Sequence, residues 1–230
     1  MLVPFLFAVY IKDIVKPCKC RSGVQLGEIL FYANDIVIVA RSITGLQYMV
    51  DLVVNELNYL DLVVNCTKSN CIRFGRRHKA ACSTIVIADG TVIPWVTEIR
   101  YLGITIASAS YFKCSFTHAK KSFCRAANAI IGKVGLLREN ILVHLIKSKC
   151  LPVLLYATEV CPLSTSDLQS LDFVVMRFLM KIFRTANRLL VIECLSYFGV
   201  LMPSDLIPLR TSKFLTKLRA CDQKLVHIYR

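Results

Sequence analysis

Hydrophobic spacing changes once along this chain, near Ser110, and that change restricts the fold more than any single motif. Before it, β-branched and apolar residues come in short runs broken by turn residues. The clearest are Phe31-Tyr32-Ala33-Asn34-Asp35-Ile36-Val37-Ile38-Val39-Ala40 and Ile85-Val86-Ile87-Ala88-Asp89-Gly90-Thr91-Val92-Ile93. Each reads as a tight hairpin, turning at Asn34-Asp35 and at Asp89-Gly90, because Asn, Asp and Gly tolerate the backbone angles of two-residue turns. The first hairpin is expected over 24–40, between buried strands. Further strands are expected over 71–74 and from Tyr101 to Ile106. One helix lies in this half. Thr44-Gly45-Leu46-Gln47 has capping-box spacing, Ser42 is a second N-cap candidate, and Leu46, Val50, Val53, Leu57 and Leu60 form an apolar stripe to about Leu62. After Ser110 the apolar residues recur at threes and fours, which predicts helices over 116–137, 141–150, 154–160, 168–183 and 189–198. The expected class is α+β: a small antiparallel sheet packed on helices over residues 1–110, then an all-helical region over 111–230.

Composition narrows what such a chain does. At 230 residues it can bury a sizeable core. Mean hydropathy is high at +0.55, yet no stretch of 18 residues is free of charge, so a membrane-spanning helix is not supported. Residues 1–11 are apolar but lack a basic leader, and Lys12, Asp13, Lys16 and Lys19 follow where a cleavage site would lie. They read as buried fold, with Pro4 opening a short helix, and the protein is expected to be intracellular and not secreted. Eleven cysteines without Cys-x-x-Cys spacing suit a reducing compartment better than a disulfide framework or a zinc site.

The net charge of +14 is unevenly spread. Residues 111–230 carry 18 Lys and Arg against 7 Asp and Glu, while residues 1–110 carry 11 against 8. A basic half of this kind suits an anionic partner, nucleic acid or membrane phosphates; cations that only solvate helix faces are the plainer alternative. Charge alone leaves these readings open, and with no spanning segment no membrane is expected as a partner. Arg73, Arg76 and Arg77, beside Gly75, can hold phosphates without reading bases. Lys120 and Lys121 punctuate the first helix after Ser110. Arg177, Lys181, Arg184 and Arg188 recur at four, three and four residues, a spacing that places them on one helix face along a duplex backbone. Asp35 is the candidate metal ligand, its carboxylate set at a hairpin tip; a plain turn uses the same residues.

Five segments, taken in order, resemble the reverse transcriptases (RNA-directed DNA polymerases) of LINE-type retrotransposons that lack long terminal repeats. Leu2-Val3-Pro4-Phe5-Leu6-Phe7 is similar to the tail of the Ser-Pro-x-Leu-Phe segment, and Tyr32-Ala33-Asn34-Asp35 to the Tyr-x-Asp-Asp box. Asn65-Cys66-Thr67-Lys68-Ser69 matches Asn-x-x-Lys-Ser, Tyr101-Leu102-Gly103-Ile104 the primer grip, and Pro152-Val153-Leu154-Leu155-Tyr156-Ala157 the Pro-x-Leu-x-Tyr-Gly thumb helix. Two positions depart: Asn34 stands for the first Asp of the box, and Ala157 for the thumb glycine. The resemblance implies a partial palm over 1–110 and a helical thumb-like region over 111–230, acting on an RNA template and DNA primer or duplex with Mg²⁺. It places Lys68 near the leaving pyrophosphate, although a solvated loop lysine fits the same residues. It puts Tyr101 and Gly103 against the primer; a core strand with a glycine bulge is the alternative. Two-ion catalysis needs carboxylates from two strands. The family's upstream Asp strand is not in this sequence, and Asn34 is degenerate, so Asp35 alone is left to bind metal. The expectation is therefore a truncated, polymerase-inactive product. The alternatives are a non-catalytic nucleic-acid-binding remnant, or an interaction fragment whose truncation exposes surface to partners.

Overall fold

The computed structural model describes residues 27–32, 34–135 and 139–220. The helix expected after Pro4 lies outside them. The chain is α+β, as the change in hydrophobic spacing implied. It divides into two compact units, 1–99 with 108–111, and 100–107 with 112–230, so the chain crosses between units three times.

The first unit opens with strands β1 (Gly27–Tyr32) and β2 (Asp35–Ala40), paired antiparallel with Tyr32 opposite Asp35. Asn34 is a turn residue, and Asp35 is the first residue of β2 and not a turn residue as expected. The reason is cross-strand pairing. This register sets Ile29 opposite Ile38, and both pack toward helix α1 (Ile43–Tyr59); a turn one residue later would oppose Ile29 to Ala40. The strands are only half buried, because one face meets α1 while Leu30, Tyr32 and Val39 stay exposed on the other.

Helix α1 is capped by Ser42, whose hydroxyl accepts from the Gly45 N–H at 3.0 Å. The expected Thr44–Gln47 box does not form, since the Gln47 amide is engaged elsewhere. Its Nε2 donates to the Val86 carbonyl at 2.6 Å and its Oε1 accepts from the Val86 N–H at 3.0 Å. That two-point contact satisfies the backbone of strand β3 (Ile85–Val86), which pairs with β4 (Val92–Ile93) around the Asp89–Gly90 turn. There Asp89 Oδ1 accepts from the Thr91 N–H at 2.8 Å, which holds the Asp89 carboxyl below its usual range. The helix stops at Tyr59 and not at Leu62, because Asp61 turns left-handed (φ 56°) and the Leu62 N–H returns to the Leu57 carbonyl. No strand forms over 71–74. Cys71 alone bridges Trp95, and the chain then diverges at Gly75 (φ 107°). Val50, Val54, Cys71, Ile85, Ile87 and Ile93 close this unit's core. Burial pushes the Cys71 thiol up to about 11, and every cysteine among the described residues is a free thiol.

The segment from Tyr101 to Ile106 is not one strand. It is the tip of a hairpin between β5 (Glu98–Tyr101) and β6 (Ile104–Ala107), turning on Leu102 (φ 45°) and Gly103 (φ 85°). Strand β7 (Lys113–Ser115) pairs antiparallel with β6. The second unit continues with helices α2 (Thr117–Val134) and α3 (Glu139–Leu145), the latter widening into a π turn over Ile146–Cys150 and running on as α4 (Leu151–Leu154). Pro152 accounts for the widening: its ring collides with the carbonyl four residues back and it has no N–H to give it. The helix expected over 154–160 is absent, because Ala157 is left-handed (φ 57°) and residues 155–160 are turns.

Helix α5 (Thr165–Ile182) carries a full capping box, Ser164 with Asp167. Helix α6 (Arg188–Phe198) is capped by Asn187 and ends on left-handed Gly199. Helix α7 (Pro203–Ala220) was not expected, since it contains Pro208; Pro203 sits where a helix needs no N–H, and Arg210 ties it to Glu159 at 3.2 Å. The core runs through Phe123, Leu142, Leu154, Leu171, Leu179 and Val191, with Phe178 edge-on to Phe123 at 5.4 Å.

Left-handed side chains cost about 1 kcal/mol each where glycine or Asn would be relaxed. Ala157→Gly and Leu102→Asn should therefore each raise the urea-unfolding midpoint, by up to about 1 kcal/mol of stability. A lowered midpoint would show that the backbone is not left-handed there in solution.

Candidate nucleic-acid interface

Among the residues expected to do chemistry, Asn34 and Asp35 sit together and exposed at the tip of the β1–β2 hairpin. Magnesium takes several oxygen ligands in near-octahedral geometry. The tip supplies one carboxylate and one neutral amide, and among the described residues no three His, Cys, Asp or Glu side chains gather to hold a metal ion. This donor set does not fit a two-ion centre.

Lys68 is exposed on a turn built around the Asn65 carbonyl, which accepts from the backbone N–H groups of Lys68 (3.2 Å) and Ser69 (3.1 Å) and from the Ser69 hydroxyl (2.9 Å). The Asn-x-x-Lys-Ser spacing thus has a local structural use, with the ammonium left in solvent. Arg73 is set apart from its neighbours. Its guanidinium braces the loop internally, donating to the Ala80 carbonyl at 3.4 Å and to Cys82 Sγ at 2.9 Å. Arg76 and Arg77 are exposed on the same loop.

In the second unit, Tyr101 is half buried and Gly103 exposed at the β5–β6 tip. Across from them lies Tyr156. Its hydroxyl donates to the Leu102 carbonyl at 3.1 Å, and a Cβ on Gly103 would come within 3.0 Å of its ring. The glycine is therefore required twice, by its backbone angle and by the tyrosine against it. Leu102, whose carbonyl accepts this bond, is left-handed (φ 45°), and so is Ala157 (φ 57°), the residue after Tyr156.

The basic stripe expected from Arg177 to Arg188 is divided. Arg177 and Lys181 lie on α5, but Arg184 occupies the left-handed position (φ 51°) after the helix, where the Thr185 N–H returns to the Met180 carbonyl. Arg188 begins α6. The expected face of four cations is thus two on α5, one in the connection and one on the next helix. Lys120 reaches from α2 to the Ser170 hydroxyl on α5 at 2.8 Å, and Lys121 is exposed. Phe173, not among the expected site residues, is 61% exposed, with the Arg177 guanidinium 5.9 Å from its ring centre. A helical projection would have found it: position 173 falls with 170, 177 and 181, opposite the apolar row at 168, 171, 175, 179 and 182.

These features define an α+β chain with an exposed Asn34–Asp35 pair at a hairpin tip and an excess of cations over residues 111–230. No family model, curated protein or solved structure matches it. Among the described residues, no single helix is long and apolar enough to cross a membrane.

Removing only the hydroxyl should isolate the turn contact. Tyr156→Phe is expected to cost about 0.5–1.5 kcal/mol, near the low end because Tyr156 is 55% exposed, and to speed amide exchange at residues 102–104. Gly103→Ala should cost more, about 1–2 kcal/mol, because it adds backbone strain to the clash. Equal melting of all three proteins would show that the hairpin tip is not held by this tyrosine.

Proposed function

We propose that this chain corresponds to the palm hairpin and thumb of a LINE-type reverse transcriptase, has lost nucleotidyl transfer, and binds nucleic acid. The observation that carries this reading is the Tyr156–Leu102 contact. The primer-grip-like segment and the thumb-like segment resemble the family separately, and they touch 54 residues apart in sequence. Chance matches to two short patterns have no reason to meet, whereas parts of one inherited fold do. The left-handed backbone at Ala157 adds to it, since that is the position where the family's pattern carries glycine.

Loss of transfer follows from the missing carboxylates. Two metal ions spanning the primer hydroxyl and the triphosphate require bridging carboxylates from two strands. Asn34 offers only a neutral amide oxygen beside Asp35, and among the described residues no further metal-binding side chains gather there, so restoring Asp at position 34 alone does not complete the site. Binding places far weaker demands on geometry. The excess of cations over residues 111–230 attracts phosphate backbones by releasing their counterions.

Purified chain and its Asn34→Asp variant, given an RNA template, a DNA primer, deoxynucleotides and Mg²⁺, should both leave the primer unextended. Extension by the unmodified chain would overturn the loss of transfer. Affinity for labelled nucleic acid should fall steeply between about 50 and 200 mM salt, by roughly 10³-fold or more if six or more phosphates are contacted. Binding that ignores salt over that range would overturn the phosphate clamp.

A further inference from the structure

The outer face of α5 carries an exposed aromatic ring among hydroxyls and cations. Ser166, Ser170, Phe173, Arg177 and Lys181 follow one another at intervals of four, three, four and four, so they line one side of the helix over about 22 Å. The helix's two acids are engaged away from this row. Asp167 closes the capping box with Ser164, and Asp172 accepts from the Ser204 N–H at 2.9 Å. The row therefore combines hydroxyls, one aromatic ring and cations, with no carboxylate between them. Lys120 adds a third ammonium or guanidinium from α2, anchored on Ser170 at 2.8 Å.

Phe173 is the odd member. Lone exposed apolar residues are common and need no explanation. This one stands out through its company, since it lies beneath Arg177 in the middle of a cationic, hydroxyl-bearing row. A duplex backbone has no use for such a ring, because its bases are already stacked on each other. A membrane would call for a continuous apolar face, and here the neighbours along the row are polar. Exposed aromatic rings set among cations suit unpaired bases, each of which has a π-face to offer.

The geometry points to a single-stranded nucleic-acid site on this face: one base stacks on Phe173, while Arg177, Lys181 and Lys120 contact the phosphates on either side. Ser166 and Ser170 supply hydroxyls that donate to phosphate oxygens without reading sequence. The site rests on the nucleic-acid binding proposed above but does not depend on the resemblance to reverse transcriptases.

The test is fluorescence anisotropy with the full chain, using labelled oligothymidylate, a duplex of the same length, and polyglutamate as competitor. Phe173→Ala should weaken single-strand binding about 5- to 100-fold while leaving duplex binding and the salt slope unchanged. Phe173→Trp should keep single-strand affinity within a few-fold of the parent. Arg177→Gln should lower the single-strand salt slope by about 0.7. Because Phe173 is exposed, circular dichroism and the melting temperature should not change in these variants. If Phe173→Ala binds oligothymidylate as the parent does, the stacking site is wrong while nucleic-acid binding stands. If polyglutamate displaces oligothymidylate at equal charge concentration, the face recognises acidic polymers and the proposal is overturned. If the unmodified chain binds neither nucleic acid, the site and the binding it rests on both fail.

Discussion

The hydrogen bond from Tyr156 to the Leu102 carbonyl ties the β5–β6 tip to the turn after α4, where three left-handed residues meet. Leu102, Gly103 and Ala157 are all left-handed, and two of the three carry side chains that dislike that region. A turn of this kind is worth keeping only if something else in the fold depends on it. Here the β5–β6 tip gains a fixed contact with the turn that follows α4, and that turn redirects the chain toward α5. The ring of Tyr156 occupies the space that any side chain at position 103 would need. Tyr156 thereby adds a polar contact at the tip to the apolar packing by which Ile104 and Cys114 join the strands to the helical core.

Helix α5 is the second organising element, and its two faces do different work. Leu171, Val175, Leu179 and Ile182 are fully buried and anchor the core, with Phe178 edge-on to Phe123. Burial of four such side chains contributes on the order of 6–12 kcal/mol before chain entropy is counted. That anchoring fixes where the opposite row points. A cation on a frayed loop searches many positions, whereas Arg177 on a buried helix presents its charge at one place relative to Phe173. The capping box at Ser164 and the return of Thr185 to Met180 close both ends of the helix, so the row keeps its full length.

Much of the scaffold was legible in the residues. The change of spacing near Ser110 implied α+β, the Asp89–Gly90 turn stands where expected, and α2, α5 and α6 follow their apolar rows. What escaped did so for identifiable reasons. Periodicity cannot choose between turns one residue apart, so Asp35 moved into β2 once Ile29 found Ile38. It cannot see that a glutamine bonds across space, so Gln47 looked like a cap and instead holds Val86. Proline reads as a break, which hid α7 and obscured how a π turn accommodates Pro152. The cationic face was misdrawn for a related reason. Counting intervals of four, three and four assumes an unbroken helix, while the chain turns left-handed at Arg184. Phe173 carries no charge, so the spacing of Lys and Arg does not point to it.

Binding and catalysis also differ in how they tolerate sequence change, and the proposed function rests on that difference. Transfer through two metal ions requires carboxylate oxygens placed to within a fraction of an ångström, so an amide such as that of Asn34 in place of a carboxylate would remove charge and a ligand together. Phosphate attraction is nearly indifferent to such detail. It sums over many cations, falls off gradually with distance, and survives the loss of any one of them. A lineage that stops selecting for transfer would therefore lose the hairpin box long before it lost the charge of its helices. On the reading proposed above, one carboxylate at the tip of β2 and an excess of cations over residues 111–230 would follow from such unequal tolerance. Stacking sits between the two extremes. It needs one ring held in the open, and a helix anchored by its buried face supplies that without any further precision.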